Sequence, residues 1–519
     1  MFSLSYIKLS EMRILLLFFV FSNFIIEINA QSEATLAIRS FRSENEIGWM
    51  KEYISFLSIP NIASDTIGMK QNANFIMDMM KKRNIQQVGL LNGVSKNIPP
   101  AIYGEVITPG ATQTIIFYAH YDGQPVDSSQ WHKGLSPFVP TLVNGSLEKG
   151  SNIIPFDNSK LNPDWRIYAR GASDDKAGVM AILSAFEAIN KIGFKLNYNV
   201  KFFFEGEEEA GSTHLSEIFQ QNETLLQSDG WVICDGPVHQ SGNKSIIFGV
   251  RGDAHLGITV YGPSRPLHSG HYGNWAPNPG LMLAKLLSSM KDEKGSVTIK
   301  GFYDDIKPLT SEEQKAVSTI PPVGDQMKKE LKFLNEEMEG VSLEKSILMP
   351  SLNINGMQSG NVGKKASNVI PITATAVLDI RLVPGNDYHL QQQKVVDHIK
   401  SKGYYIINRE PTNEERGKYA KIATINLSDG YNAQRTSLSD PFAKKIVAAV
   451  QSTTKEKLVL LPSMGGSLPL FLFDKYLKAK TITVPIANHD NNQHAENENI
   501  RIRNLWNGIE TMAAIMMMK

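Results

Sequence analysis

The sequence predicts an α/β protein whose main sheet domain is interrupted by a smaller α+β domain. Three observations carry this. Nearly continuous apolar runs, TIIFYAHYD, NVKFFFEGEEEAG and GWVICDGP, are separated by a helical pattern, KAGVMAILSAFEAINKIG. Buried parallel strands read as unbroken apolar runs, and their alternation with helices describes an open α/β sheet. Each run ends in charged residues, and such sheets bind ligands beyond the carboxyl ends of their strands. Near residue 247 the texture changes: IIFGVRGDAHLGITVYG alternates in period two, like a half-exposed antiparallel strand.

The remaining elements follow in order. TLAIRSFRSENEIGWMKEYISFLSIP has apolar residues at helical spacing and then a proline stop, and NANFIMDMMKKRNI reads as a second amphipathic helix. AIYGEVIT reads as a strand. Beyond 247, ATAVLDIRLVPGND, LQQQKVVDHIKSKG and YYIINRE read as strand, helix and strand. Between them, 292–349 is rich in lysine and glutamate and mostly helical, a decorated surface insert. DPFAKKIVAAVQSTT resumes α/β character, and LWNGIETMAAIMMM closes with a helix. The predicted boundaries are 1–30 for a leader, 31–247 and 431–519 for the two segments of the main domain, and 248–430 for the inserted one.

Composition narrows the function. A chain of 519 residues exceeds one ordinary core. Its 42% hydrophobic and 20% charged content is that of a folded protein. A net charge of +1 gives no global field toward nucleic acid or an acidic membrane surface. Cys234 is the single cysteine, so intramolecular disulfides and Cys-ligated zinc are excluded and any metal must use His, Asp and Glu. Lys8 and Arg13 precede or open the apolar run Ile14 to Ile26, and Ala30 follows, the pattern of a secretory signal peptide. The run is short for a membrane span, which needs about 20 residues. An uncleaved anchor is the alternative, because Ile28 stands where a small residue is preferred.

Several motifs gather metal-ligand chemistry at strand ends. AHYDGQPV places His120 and Asp122 after a buried strand; a metal-bound His commonly gives its other ring N–H to a carboxylate. Alone, the pair reads more readily as a surface His near a turn Asp. RGASDDKAG offers Asp174 and Asp175 before a helix, where a carboxylate is also a simple cap. FFFEGEEEAGS packs Glu205, Glu207, Glu208 and Glu209 into five positions, Asp235 ends VICDG, and ANHDNNQHAENENI supplies His489, Asp490 and His494. Each alone reads as a solvated acidic loop. Together they form a repelling carboxylate cluster that divalent cations would neutralise.

In this set the chain resembles the M20 family of metallopeptidases, near its carnosine-dipeptidase and glutamate-carboxypeptidase-like members. AHYDGQPV, ARGASDDKAG, FEGEEEAGS, the Asp of VICDG, PLHSGHYGNWAPNP, RLVP, GGSLP and QHAENENI carry the resemblance in family order. It implies an open mixed-sheet zinc-peptidase domain with an inserted α+β lid or dimerisation domain. It implies two divalent metals, Zn2+ first, with Mn2+ or Co2+ as alternatives. Asp174 matches the bridging carboxylate, His120 and Asp235 the ligands of one metal, Glu209 and His494 those of the other. Asp122 matches the carboxylate that orients the first His, and Glu208 the general acid/base acting on metal-activated water. His268 in PLHSGH matches a His that reaches the partner subunit's site and stabilises the oxyanion, which implies a homodimer. Arg381 matches an arginine that grips a substrate carboxylate; an ordinary strand-end salt bridge is its alternative. Asn368, Gly466 and Ser467 match substrate-contacting positions. His214, His271 and His489 read as structural or supporting.

The resemblance thus implies an exported, periplasmic or extracellular, dipeptidase or carboxypeptidase acting on small peptides. The competing enzyme reading is an N-acyl amino-acid amidohydrolase using the same metals. A non-catalytic binding protein on this scaffold is a third reading; it would have lost Glu208 or a ligand, and all are present. No GxSxG elbow in suitable context supports a serine hydrolase.

Overall fold

The computed structural model describes residues 9–95, 98–157, 160–466 and 468–519, with backbone alone for 9–32. The predicted leader, 1–30, therefore lies outside the residues whose side chains are described, as does Ser467 altogether. Among the described residues no helix is long and apolar enough to cross a membrane. The chain forms two compact units. The first comprises residues 1–246, 439–459 and 475–519; the second comprises 247–438 and 460–474.

The first unit is built on an eight-stranded mixed sheet. In spatial order its strands are Gln86–Leu91, Ala101–Val106, Asn199–Glu205, Thr114–His120, Gly230–Ile233, Thr481–Thr483, Ser245–Ile247 and Val459–Leu461. Gln86–Leu91, Ala101–Val106 and Asn199–Glu205 pair antiparallel in succession. From Asn199–Glu205 through Thr114–His120 and Gly230–Ile233 to Thr481–Thr483 the pairing is parallel. The apolar runs are these central strands: Ile115, Ile116, Phe117, Phe202, Phe203, Phe204, Trp231 and Val232 are all fully buried. A chain covered on both sheet faces has no polar side to alternate.

Helices cover both faces: Phe186 of Lys176–Ile192 meets Phe202, and Phe219 of Leu215–Gln221 meets Phe203 and Trp231 on the other side. Leu9–Leu57 buries Trp49, Met50, Tyr53, Phe56 and Leu57, the apolar stripe read from its spacing. Lys176–Ile192 and Ile502–Met516 pack together and are buried on most sides. The start of Lys176–Ile192 sits so close to the sheet that a Cβ on Gly178 would lie 2.4 Å from the Cys234 carbonyl. A three-stranded sheet, Asn499–Arg501, Arg166–Tyr168 and Thr141–Val143, runs antiparallel throughout. It sets the loop after Tyr168 beside the segment before Asn499, and the Ala169 N–H donates to the Glu498 carbonyl at 3.1 Å.

The second unit is a five-stranded sheet ordered Ser351–Ser359, Thr373–Leu382, Gly252–Tyr261, Ile422–Leu427, Tyr405–Ile407. Gly252–Tyr261 alternates between buried and half-buried residues as its period-two sequence predicts. Leu283, Leu286, Val395 and Ile399 from the helices Pro279–Ser288 and Tyr388–Ser401 pack with Ala254, Leu256, Ile258, Leu378 and Ile380 in one core. The lysine- and glutamate-rich insert folds as three short helices, Ser311–Ser318, Gly324–Leu331 and Leu343–Ser346, joined by irregular chain. This unit also takes in residues 460–474, where the Met464 N–H donates to the Gly249 carbonyl and Phe471 stacks on Tyr431.

Gly178→Ala should destabilise the protein by about 1–3 kcal/mol, the usual cost of overpacking a dense interior. Denaturant unfolding of the two proteins measures it; an unchanged midpoint would show that the helix can back away from Cys234.

Candidate metal centre

Parallel strands bring remote residues to one edge. Thr114–His120 ends on His120, Asn199–Glu205 leads into the turn carrying Glu208 and Glu209, and Gly230–Ile233 ends two residues before Asp235. The Tyr121 N–H donates to the Glu205 carbonyl and the Cys234 N–H to the Tyr118 carbonyl, so the ladder extends to the ligand positions. Gly206 begins the turn where a Cβ would meet the Tyr121 hydroxyl at 2.4 Å.

The carboxylate of Asp174 faces two histidines. Its Oδ1 lies 3.0 Å from His120 Nε2 and its Oδ2 lies 3.2 Å from His494 Nε2. Asp235 completes a group of three potential ligands with His120 and Asp174; Glu209 completes another with Asp174 and His494. Within each group the donor atoms all lie within 4.8 Å of one another. His494 Nε2 is 3.3 Å from Glu209 Oε2, and His120 Nε2 is 3.9 Å from Asp235 Oδ2. Glu208 belongs to neither group and stands beside them, with Oε2 4.0 Å from His120 Nε2.

Asp122 ties the halves together. Its Oδ1 lies 3.4 Å from His120 Nδ1 and also accepts the Glu208 N–H at 3.1 Å, while its Oδ2 accepts the Glu209 N–H at 3.0 Å. The cap and ligand readings of RGASDDKAG fall on different residues. Asp175 caps the helix through the Gly178 N–H and accepts the His120 N–H at 3.2 Å, which leaves Asp174 to face the histidines. The Asp174–Asp175 peptide bond is cis. Glu207 accepts the backbone N–H of His214 and lies 2.9 Å from its ring, and buried Glu205 accepts the Tyr118 hydroxyl at 2.7 Å. These two glutamates and His214 hold the turn.

The electrostatics call for cations. Burial, then the charges of neighbouring groups, pushes Glu208 well above the carboxylate range. Burial and the Asp174 charge push Glu209 up to about 7 and Asp235 up to about 6. Burial opposes the charged form of Asp174 too, but hydrogen bonds from both histidines outweigh it and hold that carboxyl low. Burial would lower His120, yet its bonds to Asp122 and Asp174 raise it well above the usual value. His494 is raised to about 9 by Asp174. Among the described residues no lysine or arginine pairs with Asp174, Glu208, Glu209 or Asp235. Imidazole and carboxylate donors in two groups sharing one carboxylate suit two divalent cations of the zinc, manganese or cobalt kind. The residues fit such a group.

The other predicted residues belong to the second unit. His268 and Asn368 come together on the ribbon Leu267–His268 and Val369–Ile370, where the Ser269 N–H donates to the Asn368 carbonyl at 2.9 Å. His268 is exposed, and its Nδ1 accepts the Gly270 N–H at 3.0 Å, so the neutral ring carries its proton on Nε2. The His271 ring lies against it, with centroids 4.8 Å apart. Arg381 Nε is 3.2 Å from Asp379 and 3.7 Å from Asp253. Gly466 is exposed.

The sequence reading missed three features. Glu498 is fully buried and accepts N–H groups from Gly171, Ser173 and Asp174, the Ser173 hydroxyl and the Arg170 guanidinium. It builds the loop that aims Asp174. Its only sequence signal is the acidic spacing in HAENEN. Gln124 Nε2 donates to Glu209 Oε2 at 2.9 Å, and nothing in AHYDGQPV distinguishes it from a turn residue. In the second unit Asp253, His255 and Asp379 also lie within ligand reach of one another. There the Arg381 guanidinium already supplies positive charge, and the group is an ion-pair network across adjacent strands.

Comparison with known proteins gives the family. The profile described as Peptidase family M20/M25/M40 matches residues 116–518. The Cys-Gly metallodipeptidase of Candida albicans is 27% identical over 498 residues, covering 89% of this chain and 92% of the relative. The Beta-Ala-His dipeptidase of Homo sapiens is 27% identical over 433 residues, covering 81% and 77%. An M20 family metallo-carboxypeptidase from Sulfolobus solfataricus superposes with a TM-score of 0.71 at 28% identity, covering 90% of this chain and 98% of that one.

A folded-state pKa raised above its unfolded value contributes stability at low pH that is lost as pH rises through the folded value. For Asp235, Glu209 and His494 that window runs from about 4 to about 9. The lowered Asp174 acts oppositely, but only below about 4. Metal-stripped protein should therefore lose Tm between pH 5 and pH 9, and added divalent cation should restore it most at the alkaline end. A stripped protein whose Tm rises across that range would contradict the charge assignment.

Proposed function

Because the chain belongs to peptidase family M20/M25/M40 and is a metal-dependent peptidase, we propose that it hydrolyses the amide bond of dipeptides and short peptides at a two-metal centre. The reading rests on Asp174, whose two oxygens face histidines from two different segments. In this reading His120 and Asp235 hold one divalent cation, Glu209 and His494 the other, and Asp174 serves both. When bound, the pair supplies Lewis acidity toward the scissile carbonyl and acidifies water. The relatives named for Cys-Gly and β-Ala-His dipeptides support a dipeptide substrate.

The protein's own groups divide the remaining work. Glu208 takes a proton from the attacking water and returns it to the leaving amine, because burial raises the proton affinity of its carboxylate. Asp122 orients the His120 ring and pins the Glu208 and Glu209 amides, so ligand and base keep a common position. His268, contributed by a second copy through the lid or dimerisation unit 248–430, donates from Nε2 to the developing oxyanion. Arg381, braced by Asp379 and Asp253, grips the substrate carboxylate, with Asn368, Gly466 and Ser467 as further substrate contacts. An N-terminal leader exports the chain, and the mature protein is a homodimer.

Glu208→Ala should cut turnover about 10²–10⁴-fold, the range for a general acid/base, while keeping its metal. Glu209→Ala should lose metal; the reverse pattern would mean that the two glutamates exchange roles. His268→Ala should lower kcat about 10²–10³-fold with Tm unchanged, the scale for an oxyanion donor. Turnover equal to wild type would remove it from the site. Metal analysis with a panel of dipeptides and N-acyl amino acids tests the substrate class. Faster cleavage of the N-acyl compounds would overturn the dipeptidase reading.

A further inference from the structure

A second polar cavity lies in the first unit, and nothing in the proposed reaction uses it. It has a volume of about 230 Å³. Lys244, Arg501, Arg503, His489, Ser245 and Thr511 are among the residues that line it. No carboxylate is among its lining residues.

The charges are unequally satisfied. Arg503 makes an exposed pair with both Asp164 oxygens, and an Arg501 nitrogen lies 3.5 Å from Asp490 Oδ1. Lys244 has neutral partners: its Nζ donates to Thr453 Oγ1 and Thr511 Oγ1, each at 2.7 Å, and to the Asn507 carbonyl at 3.5 Å. Among the described residues no carboxylate reaches ion-pair distance of it. Glu510, whose charge acts on it most, is held by Arg39 and Arg42. Burial draws the Lys244 ammonium down to about 8, so it gains from meeting an anion. Ser245 is 1% exposed, lines the cavity, and its Oγ has no hydrogen-bond partner. A buried hydroxyl without a partner costs stability unless something else accepts from it.

We propose that this cavity is a binding site for a small tetrahedral oxyanion, with Lys244 and Arg501 supplying charge and the His489 ring and Ser245 hydroxyl supplying hydrogen bonds. Size decides the ligand class. Pockets for drug-sized ligands run from about 300 to 1,000 Å³, so this one suits inorganic phosphate, sulfate or the phosphate group of a small ester rather than a nucleotide. His489 and Arg501 stand at the two ends of the segment that carries His494, so a bound anion would brace that segment from both sides.

Calorimetry and amide hydrogen exchange on the metal-loaded full chain test this, with inorganic phosphate, sulfate and glycerol phosphate added at matched ionic strength. Phosphate or sulfate should bind and slow exchange in 238–245 and 501–511. Asn507→Asp puts a carboxylate at the cavity wall without changing side-chain shape. It should weaken binding roughly tenfold or more by cancelling charge-assisted bonds, and abolish that protection, while peptide turnover in anion-free buffer stays at the wild-type rate. Lys244→Met should lose the same protection. Binding of inorganic ions alone assigns the site to a free oxyanion; equal binding of glycerol phosphate assigns it to a phosphate monoester. Binding that survives Asn507→Asp unchanged, protection confined to residues around His120 and His494, or no binding at millimolar anion overturns the proposal.

Discussion

Everything at the metal centre depends on where the Asp174 carboxylate points, and a second buried carboxylate decides that. Glu498 accepts the N–H groups of Gly171, Ser173 and Asp174 and the Arg170 guanidinium. Burial raises Glu498 above the usual carboxylate value, while Arg170 and the backbone donors pull it the other way. Buried ion pairs contribute little net stability but penalise every arrangement in which one partner is missing. Here that penalty acts on geometry. The loop can close only where all its donors reach Glu498, and in that form Asp174 faces His120 and His494.

The same logic explains the glutamate cluster. Four carboxylates, buried Asp174 and Asp235 with half-buried Glu208 and Glu209, gather around buried His120 and exposed His494, with no lysine or arginine partner among the described residues. Such a set cannot all ionise in low dielectric, and the raised values of Glu209 and Asp235 express that. The fold tolerates the repulsion because its anchors are local and directional. Asp122 holds two backbone amides of the turn, Gln124 holds Glu209, and Glu207 is engaged with His214. The turn is therefore anchored by the protein's own groups, which aim the candidate ligands.

The second unit shows a different economy. Its charged cluster of Asp253, His255, Asp379 and Arg381 sits on paired strands at Asp253↔Arg381 and His255↔Asp379. Cross-strand neighbours of opposite charge neutralise one another without outside help. Acidic groups therefore differ by what supplies their positive charge. In the second unit it is a covalently attached guanidinium, and in the first it is two imidazoles that fall short of the carboxylates they face.

Much was legible in the sequence because it depends on short-range rules. Continuous apolar runs marked the buried parallel strands, period two marked Gly252–Tyr261, and the strand-end positions of His120, Glu208, Glu209 and Asp235 followed from parallel pairing. Which of two adjacent residues does what was not legible. Asp174 and Asp175 are the same residue type at the same helix start, and only the positions of His120, His494 and Glu498 separate the carboxylate that faces the imidazoles from the cap. Glu498 itself lies 324 residues from Asp174, and no local pattern links them. His494 takes a left-handed backbone, φ 62°, that a non-glycine residue seldom adopts unless its surroundings hold it there. Sequence by itself determined the elements and the chemistry available at their ends, since both follow from residue type and spacing. Tertiary structure decided which carboxylate faces which imidazole, because that depends on contacts between segments hundreds of residues apart.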